Sequence, residues 1–80
     1  MWSNILAKKI NSIETGKRIK EIADIHGYTP TALGNKLFLS KFTIYKWYAG
    51  VNIPRIDDFI ALSDLLGVTI DELIVCDEVA

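Results

Sequence analysis

The sequence predicts an all-α fold: five short helices around one small core, preceded by an additional N-terminal helical segment. Three observations carry that prediction. Half of the 80 residues are apolar, whereas glycine and proline number only five and two, a balance that favours helices over a many-stranded sandwich. Short polar residues stand immediately before apolar stretches at Thr29, Ser40 and Thr69, where they are suited to cap helix N-termini. Gly27, Gly50 and Gly67 stand where such stretches stop. A chain of this length forms one domain, and one so small buries only about 60% of the surface its unfolded form exposes.

The elements follow in order. Trp2, Leu6, Ile10 and Ile13, with Ile5 beside them, recur at helical spacing. They predict a helical extension over residues 1–13, either separate or continuous with the next helix. Ile19, Ile22 and Ala23 predict a helix ending near His26-Gly27. Thr29-Pro30 reads as an N-cap followed by proline at the first helical position, where its missing N–H costs nothing. Leu33 and Leu37 extend that helix to about Phe38. Ser40 caps the next, about 41–49, with Ile44 and Trp47 on one buried face and Gly50 as its stop. Pro54 opens a fourth segment striped with Phe59, Leu62, Leu65 and Leu66. Thr69-Ile70-Asp71-Glu72 is a capping box in which hydroxyl and carboxylate each serve the other residue's backbone N–H. The main domain is thus 14–75, and residues 76–80 read as a loose tail.

Net charge is −1, but its distribution is polarised. Residues 1–56 hold all nine basic side chains and three acids, a balance of +6, whereas residues 57–80 hold seven acids and no base. No acid occurs from Thr29 to Ile56. Such polarity can give one basic face suited to phosphate, or simply solvated helices.

Other classes are poorly served. A single cysteine, Cys76, excludes an intramolecular disulfide framework and points to a reducing compartment. With one histidine, His26, metal-ligand spacing is lacking. There is no Gly-rich phosphate loop or nucleophile elbow, so neither an enzyme nor a cofactor is expected. No apolar run approaches the ~18 residues of a membrane span, and no signal-peptide pattern is seen. A soluble cytoplasmic domain is the expectation.

The stretch Thr29 to Gly50 and its flanks resemble the helix-turn-helix of the phage Cro and repressor family (XRE-like). The resemblance rests on Gly16-Lys17-Arg18-Ile19 and Gly27-Tyr28-Thr29 in the first helix and its exit. Leu33-Gly34-Asn35-Lys36-Leu37 matches the positioning helix, with a small residue where two helices cross closely. Leu39-Ser40-Lys41 and Thr43-Ile44-Tyr45-Lys46-Trp47 match the turn and recognition helix. Gly50, Pro54, Leu62 to Val68 and Asp71-Glu72-Leu73-Ile74 match the rest.

The resemblance implies a bacterial or phage transcriptional regulator, a repressor, that binds double-stranded DNA with helix 41–49 in the major groove. By position it assigns base contact to Lys41, Phe42 and Thr43, with Tyr45 and Lys46 on the same outward face. Ser40, Asn52 and Arg55 fall at phosphate-contacting positions, and Lys36 adds a further phosphate neutraliser. Three departures stand out. Pro30 replaces a polar phosphate-binding residue. Phe38 replaces the usual turn glycine, so a turn conformation open to non-glycine residues is expected. Phe42 and Tyr45 bring aromatics to positions where polar readers are common, which points to thymine methyls and sugars. Phe42, Tyr45 and Tyr48 also fit an alternative, a protein-interaction module of the same fold.

Two further expectations concern packing. An ion pair that the family often carries between its first and recognition helices is replaced here by Ala23 and Tyr48. Losing both partners together avoids a stranded charge, so Tyr48 is expected to pack near Ala23, its hydroxyl reaching water or a backbone carbonyl. A homodimer is expected through Trp2, Ile5, Leu6 and Ile10, or through the last helix around Ile70, Leu73 and Ile74. The alternative is that Trp2 folds back on its own domain.

Overall fold

The structure, a computed structural model, describes residues 7–79, with side-chain surroundings for 9–77. Its elements run β1 (Ala7–Ile10), α1 (Ser12–Ile25), α2 (Pro30–Leu37), α3 (Lys41–Tyr48), α4 (Ile56–Leu66), α5 (Ile70–Leu73) and β2 (Cys76–Val79). Five helices are present in the expected order, and none of the described helices is long and apolar enough to cross a membrane.

The caps explain the boundaries. Asn11 accepts from the Glu14 N–H at 2.9 Å, Thr29 from Ala32 at 3.1 Å and Ser40 from Thr43 at 3.3 Å. The Thr69–Glu72 box closes in both directions, at 3.1 and 3.0 Å. Its hydrogen bonds from Thr69 hold the Glu72 carboxyl below the usual carboxylate range. Helix α4 starts two residues later than Pro54 suggested. The buried proline leads into the helix, and the Asp58 carboxylate accepts the Arg55 N–H at 3.3 Å.

Ile19, Ala23, Leu33, Ile44, Trp47, Phe59, Leu62, Leu66 and Leu73 form one core that draws on all five helices. Trp47 is buried, as its shared face with Ile44 predicts.

Both chain ends differ from expectation. Residues 7–10 form a strand, not a helix, and 76–79 form its antiparallel partner, not a loose tail. The apolar spacing therefore overstates helix at 7–10, and α1 begins at Ser12. The register sets Lys8 opposite Glu78 and Lys9 opposite Asp77, and for Lys9 and Asp77 opposite charges at facing positions favour the pairing. The ribbon is tied to α1 by the wholly buried Thr15, whose hydroxyl donates to the Val75 carbonyl and accepts its N–H. Trp2, Ile5 and Leu6 of the expected dimer stripe lie outside the described residues, and Ile10 is a half-buried strand residue.

Candidate nucleic-acid interface

Two glycines set the close approaches around α3. A Cβ on Gly34 would lie 2.6 Å from the Leu39 carbonyl oxygen, so the crossing anticipated from Leu33-Gly34 is real. A Cβ on Gly16 would overlap the Trp47 carbonyl oxygen and lie 3.2 Å from the Tyr48 Cα. Only hydrogen at that point lets α1 and α3 meet backbone to backbone. The sequence carries a faint sign of this, since glycine inside a helix costs about 1 kcal/mol against alanine and is kept where packing requires it.

Between α2 and α3, Phe38 adopts the left-handed conformation, φ 58 and ψ 39. The expectation of a turn suited to non-glycine residues is therefore corrected: the glycine geometry persists with phenylalanine in it. The hydrogen bond from Leu39 N–H to Gly34 O at 2.8 Å and the Ser40 cap fix the chain on either side. The ring itself is 95% exposed.

Helix α3 then divides cleanly. Ile44 and Trp47 are buried, Thr43 and Tyr48 half-buried, and Lys41, Phe42, Tyr45 and Lys46 exposed. The Lys41 ammonium stands 5.6 Å from the Phe42 ring centroid, within cation–π range. Ser40 spends its lone pair on the cap and keeps its O–H free to donate outward. After α3 the chain turns back, with Val51 N–H on Lys46 O at 3.0 Å, and leaves Asn52 and Arg55 exposed on the following loop. Lys36 is exposed on the last turn of α2.

Charge pairing separates this surface from the lysines of α1. On α1, Lys17 and Lys20 are paired with Glu14 and Asp24 at 3.3 and 2.8 Å. Among the described residues, Lys36, Lys41, Lys46 and Arg55 make no ion pair.

Tyr48 is half-buried against the core to which Ala23 belongs, and burial, with the Asp24 charge second, pushes its pKa up to about 12. Its hydroxyl differs from expectation, being buried without a hydrogen-bond partner among the described residues.

Helices α2 and α3, their left-handed turn and the three supporting helices make this a helix-turn-helix fold. Among solved structures, the restriction-modification controller protein C.AhdI from Aeromonas hydrophila superposes with a TM-score of 0.70 at 18% identity, covering 76% of this chain and 92% of that one. The DNA-binding domain of BldD superposes equally well, with a TM-score of 0.70 at 16% identity over 81% of this chain and 94% of its own. No family model matches the chain, and no curated protein does.

Proposed function

We propose that this chain is a sequence-specific DNA-binding transcriptional regulator of the cytoplasm, a repressor that lays α3 in the major groove and blocks promoter access. It acts by binding, without catalysis or cofactor. The observation that carries this reading is a set of exposed cations, Lys41 and Lys46 on α3 and Lys36 and Arg55 on the segments flanking it, that make no ion pair among the described residues. The likeness to the DNA-binding domain of BldD supports it. A helix of this size, with lysines at its first and sixth positions, fits the groove's width.

The test is an electrophoretic shift with the DNA upstream of its own gene, at rising salt. If these cations displace about three or four counterions, the log–log slope is roughly −3 per half-site. Lys41→Ala and Lys46→Ala should each weaken binding and flatten that slope by about 1 where the lysine meets phosphate. Unchanged affinity in both variants rejects the placement of α3.

Two copies are proposed to pair on half-sites about 34–36 Å apart. The last helix is a poor surface for this, because Leu73 is wholly buried and Ile70 and Ile74 pack on the core. Ile56 and Ile60, 66% and 54% exposed and one turn apart on α4, offer a better one beside the Asn52–Arg55 loop. Sedimentation of the natural chain and of Ile60→Glu decides this: a monomer in both cases rejects the pairing.

The alternative partner is a protein, favoured by the exposed rings of Phe38, Phe42 and Tyr45. It gains ground only if no duplex shifts at low salt.

A further inference from the structure

We propose that Phe42 makes α3 a reader of the C5-methyl group of pyrimidines, an inference that rests on α3 being the groove helix. Its segment, Lys41 to Tyr48, contains no Arg, Asn, Gln, Asp or Glu. The side chains that grip guanine or adenine bidentately are therefore absent apart from lysine, and no carboxylate is there to accept from cytosine. Phe42 instead lies at the middle of the exposed face, 65% exposed, with Tyr45 one turn further on and 50% exposed.

A phenyl ring pressed on base edges has few acceptable neighbours. Over N7, O6, O4 or an exocyclic amino group it strips water from a polar atom and returns no hydrogen bond, a loss. One apolar group projects into the major groove, the methyl at C5 of thymine. Contact there replaces two hydrated apolar surfaces with one dry one, so the ring favours a methyl and rejects its absence. Lys41, 5.6 Å from the ring centroid, brings a cation alongside. The chemistry sees only the methyl, so 5-methylcytosine at the same place satisfies the ring as thymine does.

The test starts from a random duplex pool enriched on the full chain. The enriched duplex is resynthesised with each thymine in turn replaced by deoxyuridine, which removes the methyl and leaves every hydrogen-bonding group. At one or two positions uracil should weaken binding about four-fold, the equivalent of ~0.8 kcal/mol per buried methylene-sized group. At those positions a C·G pair should bind worse than T·A, and methylating that cytosine at C5 should recover about the same factor. Phe42→Ala should bring the thymine-to-uracil ratio to one, whereas Phe42→Leu should keep part of it.

Equal binding of thymine and uracil duplexes by the natural chain overturns the inference while leaving the regulator reading intact. So does a Phe42→Ala protein that keeps the full ratio with unchanged circular dichroism. Failure to enrich any duplex over the random pool removes the proposed function, and this inference with it. Should Phe42→Ala misfold, the uracil series on the natural chain and the ratio in Phe42→Leu still decide.

Discussion

The two faces of α3 obey different rules. On the inner face, Ile44 and Trp47 lie in the core, and the backbone of Trp47 and Tyr48 meets α1 at Gly16, where one hydrogen atom is all the space allows. On the outer face, Lys41, Phe42, Tyr45 and Lys46 are exposed. The contrast extends to charge: Lys17 and Lys20 of α1 pair with acids, while among the described residues Lys41 and Lys46 of the outer face make no ion pair. Inner-face residues fix an angle, and outer-face residues are available to a partner. Substitutions on the first should therefore change stability, and binding only through it. Those on the second should change binding and leave stability nearly untouched.

The strongest way to break that contrast is Gly16→Ala. On helix propensity alone the change stabilises by about 1 kcal/mol. A Cβ there would overlap the Trp47 carbonyl, and forcing helices apart in a packed core costs about 3 kcal/mol. The clash should win, lowering the urea midpoint and shifting α3 enough to weaken DNA binding from a distance. A more stable protein would show that the α1–α3 contact is slack.

Tyr48 comes next. Truncation to alanine should cost about 2–3 kcal/mol, at the lower end for an aromatic because the ring is half-buried. Tyr48→Phe sharpens the point. It removes a buried hydroxyl that lacks a partner among the described residues, so stability should hold or rise by about 1 kcal/mol in chemical denaturation.

The same hydroxyl gives a pH dependence. With the folded pKa raised to about 12, the unfolded tyrosine ionises first as pH climbs past about 10. The unfolded state then binds fewer protons, so stability falls across that window. It should fall less in Tyr48→Phe, and equal alkaline losses in the two proteins would remove Tyr48 as a cause.

The smallest effect is expected at the turn that joins the two faces. Glycine at 38 relieves a left-handed strain of about 1–2 kcal/mol but adds about 0.5–1 kcal/mol of unfolded-chain entropy. Phe38→Gly should thus gain roughly 0.5 kcal/mol in thermal unfolding. A loss instead would mean that the 95% exposed ring stabilises the fold.

Sequence by itself determined the five helices, because their signals are local. A hydroxyl at Thr29, Ser40 or Thr69 caps whatever lies three residues ahead, and a stripe such as Phe59, Leu62 and Leu66 must find a core. The outward residues of α3 were legible for the same reason, as the complement of Ile44 and Trp47. Tertiary structure alone decided the rest. The β1–β2 ribbon joins residues 66 or more apart in sequence, with four residues to each strand. So short a strand has too little alternation to declare itself, and only folding brings Lys8 and Lys9 opposite Glu78 and Asp77. Gly16 became intelligible once α3 lay against it. Phe38 remained in a glycine conformation because the Gly34 crossing and the Ser40 cap constrain the chain on both sides, and packing on either flank outweighs the preference of one residue.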